Sequence, residues 1–148
     1  MIESNVKMSG RLNVVLRDKD GKMKDHREVN NLVVTDGLEF IAGRMTGTSP
    51  AIMSHMALGS GSTAAAAGDT SLGSELGRVA LTDDAVSGSA ITYTATFGAG
   101  TATGAVTEAG IFNNSTGGDL LCRTVFSTVN KAADDSLAVT WTVTISAS

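Results

Sequence analysis

The chain has 148 residues, a length typical of one domain that folds without a metal ion or a disulfide. A hydrophobic content of 42% excludes a disordered polar chain, and 11 basic against 15 acidic residues give a formal charge of −4 and no basic surface for nucleic acid. The single cysteine, Cys122, excludes an internal disulfide, and no apolar run approaches the roughly 18 residues of a membrane span. We therefore expect one domain over residues 1–148, with neither a nucleic-acid nor a membrane partner.

The chain starts with a segment that has no core pattern. Residues 1–5 lack the charged-then-apolar order of a secretion signal, so we expect the protein to mature in a cytoplasm. We expect residues 1–9 to form an extended N-terminal arm that reaches a neighbouring subunit. The next segments predict a β-hairpin, with strands at 11–17 and 22–34 and a polar turn that ends at Gly21.

A short helix is predicted directly after this hairpin. Thr35 or Asp36 can cap its N-terminus, and Asp36 and Glu39 have the spacing of a capping box. Gly47 ends the helix. Four apolar residues recur at the spacing of one helix face, namely Leu38, Ile41, Ala42 and Met45. We expect this stripe to pack on an end or edge of the sheet structure.

The rest of the chain consists mainly of predicted strands, at 53–58, 78–82, 91–97, 104–112, 120–129 and 137–145. In 91–97 and 137–145, large apolar residues alternate with small or hydroxylic ones, which is typical of strands with one face on a core. We expect these two strands to place eight residues in that core, namely Ile91, Tyr93, Phe97, Leu137, Val139, Trp141, Val143 and Ile145. The segment 60–77 is expected to be a long surface loop that could include one helical turn.

About eight short strands, glycine-rich turns and one short helix predict an all-β domain. The preferred architecture is a β-sandwich of Greek-key or jelly-roll type, and a closed barrel is the alternative. The sheets carry few charges and many small hydroxylic side chains, so their strand edges are expected to favour association. We therefore expect a homo-oligomer, dimer or trimer, in which neighbours order residues 1–9 and 60–77.

No group of residues has the spacing of a catalytic or metal site. His26 lies in a charged stretch and His55 lies between two methionines, so neither has a second ligand nearby. Cys122 lies in an apolar strand and is expected to be a small buried hydrophobe. The acidic pairs 83–84 and 134–135 are assigned to turns. We expect no catalytic, cofactor-binding or metal-binding residue, and no enzymatic activity.

Glu108 and Arg123 stand out because each is an isolated charge inside an apolar strand. Charged residues in such positions are rarely buried without a partner. We expect the two side chains to form a buried ion pair with a structural rather than a catalytic role.

Three parts of the chain carry more specific patterns. The first is VNNLVVTDG at 29–37, and the second is HMALGSGST at 55–63 followed by DTSLGSELGR at 69–78. The third is EAGIFN at 108–113, followed by LLCRTVF at 120–126 and the last strand, in which threonines alternate with apolar residues. The most specific of these is ALGSGST followed by L-x-x-E-x-x-R. Together they resemble a family of small virion proteins encoded by tailed bacteriophages.

This resemblance implies a structural protein of the virion, made in the host cytoplasm. The preferred role is a capsid cement or decoration protein that bridges capsid subunits, with copies of itself and the major capsid protein as partners. The alternative is a tail or tail-fibre component that contacts neighbouring tail proteins and includes a receptor- or glycan-binding module. Glycan-binding modules usually expose aromatic rings, whereas aromatic residues are 4% of this chain and are expected in its core. The composition thus favours the capsid role.

Overall fold

The computed structural model describes residues 5–48 and 50–147. Its described elements are β1 (Val6–Arg17), β2 (Met23–Val33), α1 (Thr35–Arg44), β3 (His55–Gly59), β4 (Glu75–Ala80), β5 (Asp83–Ser87), β6 (Ala90–Phe97), β7 (Gly104–Phe112), β8 (Leu120–Lys131) and β9 (Ser136–Ala147). The all-β class is confirmed. In the described part of the chain, no helix has the length and apolarity that crossing a membrane requires.

The strands form one curled antiparallel sheet in the order β4-β3-β7-β8-β2-β1-β9-β6-β5. The sheet is continuous because β2 changes partner: its residues up to Asn31 pair with β1, and Leu32 and Val33 pair with β8. The two edge strands, β4 and β5, are joined by Leu81 and Thr82 alone. Leu81 donates its N–H to Ser54, which precedes β3, whereas Thr82 donates to Thr94 in β6. The curl therefore brings the two ends of the sheet together.

The main core lies inside the curl and contains most of the residues that strand alternation predicts. Trp141, Phe97 and Leu137 are fully buried, and Tyr93, Val139 and Val143 are buried with them. Ile91 and Ile145 are half-buried. A second, smaller cluster lies on the other face of β3, β7 and β8, and consists of Val34, Ala57, Leu72, Phe112 and Leu120. Strands in this part of the sheet are therefore buried on both faces.

The helix differs from the prediction at its N-terminus. Its N-cap residue is Val34, which makes no side-chain capping bond. Asp36, predicted as a cap, instead accepts a hydrogen bond from the backbone N–H of Leu120 at 2.7 Å. The carboxylate therefore fixes the start of β8 to the helix rather than closing the helix end.

The orientation of α1 also corrects the predicted stripe. Gly37 faces β8 so closely that a Cβ atom there would lie 2.1 Å from the carbonyl oxygen of Leu121. This approach turns Phe40 and Ile41 toward the core. Leu38 and Met45 face outward and are 49% and 81% exposed. Only Ile41 of the expected stripe packs on the core.

Three further segments differ from the sequence-based expectations. Residues 6–9 belong to β1 and pair with β9, so they are not an arm, and residues 1–4 lie outside the described residues. Asp83 and Asp84 begin strand β5 instead of forming a turn. Residues 60–74 are a loop without a helical turn, and residues 75–77 already belong to β4.

Candidate functional site

His26, His55 and Cys122 each lie in different surroundings. The Nδ1 atom of His55 is 2.8 Å from the hydroxyl of Ser54, and His26 contacts Asn13 on the exposed side of the hairpin. Cys122 is buried, and this burial raises the pKa of its thiol well above the ordinary value. Among residues 5–48 and 50–147, no three His, Cys, Asp or Glu side chains are placed to hold a metal ion.

Glu108 of β7 and Arg123 of β8 form the predicted buried ion pair. Their side chains are 0% and 3% exposed. Arg123 donates from Nε and from Nη2 to the same oxygen, Oε1 of Glu108, at 3.0 and 2.9 Å. Charged hydrogen bonds of this kind are stronger than neutral ones, and they offset part of the cost of removing both charges from water.

The same two side chains hold the loop of residues 60–74, hereafter the 60–74 loop. The carboxylate of Glu108 accepts backbone N–H groups from Gly61, Gly73 and Ser74 at 2.6, 2.7 and 2.8 Å. Both ends of the loop are thus bound to one carboxylate. We expected neighbouring subunits to order this segment, but its anchoring contacts come from within the chain.

Arg123 fixes the middle of the 60–74 loop. Its Nη1 atom donates to Asp69 at 2.9 Å, and its Nη2 atom donates to the carbonyl oxygen of Thr63 at 3.0 Å. Leu72 completes the arrangement by packing into the smaller core cluster. Asp69 was not singled out from the sequence, because nothing in its local pattern indicates a partner more than fifty residues away.

Opposing effects act on the pKa of Glu108. Burial raises it, whereas the N–H groups of Gly73 and Ser74, the guanidinium of Arg123 and the N–H of Gly61 lower it. Together, these hydrogen bonds lower the pKa by more than burial raises it, so the pKa of Glu108 lies below its ordinary value of 4.5. The side chain is therefore a carboxylate at neutral pH and can accept all of these hydrogen bonds.

The G-S-G pattern at 59–61 has a structural explanation. A Cβ atom at Gly61 would lie 2.4 Å from Oε2 of Glu108, and one at Gly59 would lie 2.5 Å from the carbonyl oxygen of Ser74. The backbone must approach both groups closely, which only glycine permits. These two glycines are part of the loop anchor rather than of a phosphate-binding loop.

The L-x-x-E-x-x-R pattern also has structural partners. Glu75 forms an ion pair with Arg78 at 2.7 Å. The Arg78 guanidinium lies 3.7 Å from the centre of the Phe112 ring, and it donates to the carbonyl oxygens of Asn114 and Gly117. The pattern therefore links edge strand β4 to the turn between β7 and β8.

An open apolar groove lies between the start of β1, the end of β2 and α1, and is called here the α1 groove. Its volume is about 810 Å³, and its apolar lining includes Val6, Leu32, Leu38 and Met45. Val6 is 75% exposed. Lys7 is the one charged residue among the described residues that line the groove. Exposed apolar surface of this kind often marks an interaction site.

The backbone along the α1 groove includes a strand edge that has no partner among residues 5–48 and 50–147. Residues 6–9 pair with β9 on one side, but pairing between β1 and β2 starts only at Gly10 and Asn31. Beyond Asn31, β2 turns to β8. The Nδ2 atom of Asn31 is buried and has no acceptor among the described residues. In the described part of the chain, the groove thus combines an apolar lining with a strand edge that makes no backbone pairs.

Comparison with protein-family models, curated proteins and solved structures gave no match. Function is therefore inferred from the residues of this chain and their geometry. Two features are candidates: the ion pair of Glu108 and Arg123, which anchors the 60–74 loop, and the α1 groove, which is exposed. The first has its partners within the chain, whereas the second exposes apolar side chains and a strand edge that no described residue pairs.

Proposed function

We propose that this protein is a non-enzymatic structural component of a tailed-bacteriophage virion, and that it decorates the capsid by binding across neighbouring capsid subunits. The observation that carries the proposal is the anchor of the 60–74 loop. Gly61, Glu108 and Arg123 come from different segments that resemble phage virion proteins, and they meet in one hydrogen-bonded unit. The segments that carry the resemblance thus form one structural unit in this chain.

The proposed mechanism is stabilisation by binding. A protein that binds the assembled shell better than free capsid subunits shifts the equilibrium toward the shell, and many copies repeat this effect over its surface. Such a protein needs a rigid core and exposed surface for contacts. The curled sheet supplies the rigid core, and the α1 groove with its exposed Leu38 and Met45 supplies the contact surface.

A glycan-binding role on a tail appendage has less support. The outer face of β1, β2 and β9 forms a polar groove of about 480 Å³ lined by Arg11, Glu28 and a row of threonines that includes Thr142. None of the described residues that line it is aromatic, and Tyr93 and Trp141 are in the core. This groove therefore lacks the rings that usually stack on sugars.

The copy number of the protein in purified virions tests the proposal. Quantitative mass spectrometry, with the major capsid protein as internal standard, is expected to give hundreds of copies per particle. Particles assembled without the protein are expected to release their DNA at lower temperature than complete particles. A copy number of a few dozen would instead indicate a tail component, and absence from the particle would overturn the virion proposal.

A further inference from the structure

We infer that Asn114, in the turn between β7 and β8, is a deamidation site at which the folded chain converts asparagine mainly into isoaspartate. An asparagine deamidates when the backbone nitrogen of the next residue attacks the carbon of its side-chain amide. The reaction therefore needs a side-chain amide that can rotate and a following N–H that is not hydrogen-bonded. This inference concerns the chemistry of one turn, so it goes beyond the capsid role and does not depend on it.

The two neighbouring asparagines of this turn differ in how their side chains are held. Nδ2 of Asn113 donates to the carbonyl oxygen of Ala51 and to the carboxylate of Asp119, both at 3.1 Å. Oδ1 of Asn113 accepts the backbone N–H of Asp119 at 2.7 Å, so this amide is fixed. Asn114 is exposed, and within the described residues its side chain is hydrogen-bonded only to the hydroxyl of Ser115. The amide of Asn114 can thus turn toward the backbone.

The nucleophile at this site is the backbone nitrogen of Ser115. Its N–H donates to no acceptor in the part of the chain that the structure describes, so no hydrogen bond opposes loss of its proton. The Ser115 hydroxyl lies 3.4 Å from Oδ1 of Asn114 and can donate to that oxygen as negative charge develops on it. In the exposed Asp20–Gly21 pair, by contrast, the Gly21 N–H is already donated to the carbonyl oxygen of Asp18 at 3.0 Å.

The remaining described asparagines are less suited to the reaction. Four of them lie in strands, whose extended, paired backbone opposes ring closure, namely Asn13, Asn30, Asn31 and Asn130. Asn5 is followed by Val6, which pairs with Ala147 and has a branched side chain that hinders attack. Asn114 is therefore the expected site.

The reaction has two balanced steps. First, the Ser115 nitrogen bonds to Cγ of Asn114, the bond from Cγ to Nδ2 breaks, and ammonia leaves with the proton that Ser115 loses. Second, water adds to one of the two carbonyl carbons of the cyclic imide. The bond from that carbon to the Ser115 nitrogen breaks, and the nitrogen regains a proton. Opening at Cγ gives aspartate, whereas opening at the main-chain carbonyl carbon gives isoaspartate. Either product adds one negative charge to the exposed turn.

The position of Arg78 favours isoaspartate. Its Nη1 atom donates to the main-chain carbonyl oxygen of Asn114 at 3.0 Å. The Arg78 side chain is 7% exposed and is held by Glu75 and by the ring of Phe112. Its guanidinium stabilises the oxyanion that forms when water adds at this carbonyl, and then pairs with the carboxylate that remains there. Opening at Cγ is assisted only by the neutral hydroxyl of Ser115 among the described groups.

Ageing of the purified full-length protein tests the inference. Folded wild type is incubated at mildly alkaline pH beside wild type unfolded in guanidinium chloride. Mass spectrometry of peptide fragments follows each asparagine and separates isoaspartate from aspartate. In the folded chain, Asn114 is expected to deamidate about tenfold faster than Asn113 or more, which corresponds to about 1.4 kcal/mol of activation free energy. Unfolding is expected to reduce this difference and to lower the share of isoaspartate at position 114.

Two variants and a matched control separate the contributions. Arg78→Gln is expected to lower the share of isoaspartate in the folded chain toward its value in the unfolded chain. Ser115→Ala removes the hydroxyl and is expected to slow deamidation of Asn114. The control is Arg17→Gln, because Arg17 also donates to a turn carbonyl, that of Gly21, and its loss should change neither the rate nor the product. Thermal melting followed by circular dichroism checks that every variant is folded.

The site and the role of Arg78 can fail separately. Equal rates at Asn113 and Asn114 in the folded chain, or reaction of Asn114 only after unfolding, would overturn the site. An identical product ratio in folded and unfolded wild type would overturn the role of Arg78. No virion is present in this experiment, so its failure would leave the capsid proposal to its own test.

Discussion

The indole nitrogen of Trp141 donates a hydrogen bond to Oδ1 of Asn31 across 3.0 Å. This bond joins β9 to the residue at which β2 leaves β1 and turns to β8. Gly10 of β1 lies directly beside it, and a Cβ atom there would be 1.8 Å from Asn31 Oδ1. The corner at which the sheet curls is therefore fixed by a buried tryptophan, an asparagine and a glycine in three adjacent strands.

Removal of the Trp141 side chain is expected to destabilise the protein strongly. Trp141 is fully buried, so Trp141→Ala leaves a large cavity and should lower the free energy of unfolding by about 3–5 kcal/mol. Trp141→Phe keeps an aromatic ring but removes the donor to Asn31, and a smaller loss is expected. Urea unfolding followed by circular dichroism measures both. A loss below about 1 kcal/mol for the alanine variant would contradict the burial of this residue.

Neutralising Glu108 is expected to destabilise the fold and release the 60–74 loop. Glu108→Gln removes the fully buried one of the two carboxylates that pair with the guanidinium of Arg123, the other being Asp69, and loss of one partner of a buried ion pair typically costs about 3–5 kcal/mol. Limited proteolysis should then cut within residues 60–74 faster than in the wild type. The control is Glu28→Gln, which removes an exposed ion pair with Arg11 and should cost about 1 kcal/mol or less. Equal stability losses for the two variants would contradict the proposed anchor.

The lowered pKa of Glu108 makes its contribution to stability depend on pH. In the unfolded chain, the carboxyl has its ordinary pKa near 4.5, whereas in the folded chain its pKa is lower. The folded state therefore binds this proton less readily, so the stabilisation is complete above pH 4.5 and is lost as the pH falls below that value through the native pKa.

Unfolding measurements on the wild type and on Glu108→Gln isolate this effect, because the other carboxyl groups contribute equally to both. The difference in unfolding free energy between the two proteins is expected to be constant above about pH 5 and to narrow as the pH falls below the ordinary carboxyl pKa. A difference that widens on acidification would mean that the native pKa of Glu108 is raised.

The glycine at position 61 is expected to resist substitution. A Cβ atom in Gly61→Ala would meet Oε2 of Glu108 at 2.4 Å, so either the loop or the buried carboxylate must move. We expect a loss of about 1–3 kcal/mol of unfolding free energy and faster cleavage in the 60–74 loop. Gly98→Ala is the matched control, because no atom lies within 4 Å of its Cβ position. Comparable losses at the two positions would argue against a close approach at Gly61.

Parts of the candidate sites could be predicted from the sequence, and parts could not. The pairing of Glu108 with Arg123 follows from the cost of burying an isolated charge, which is a property of each residue in its strand. The participation of Asp69 and of three loop N–H groups does not follow, because these groups come from distant chain positions with no periodic pattern. The α1 groove was missed because the whole apolar stripe of α1 was expected to pack on an end or edge of the sheet, whereas Leu38 and Met45 face outward.

The sequence by itself determined the all-β class, the inward faces of β6 and β9 and the ion pair, since alternation and charge burial act within a few residues. Only the tertiary structure decided which face of α1 is buried, where β2 changes partner, and that residues 83–87 form a strand. Two of these outcomes depend on the close approach of a glycine, of Gly37 to the backbone of Leu121 and of Gly10 to the side chain of Asn31. Such contacts join segments that are far apart in the chain, so local hydrophobic patterns carry no information about them.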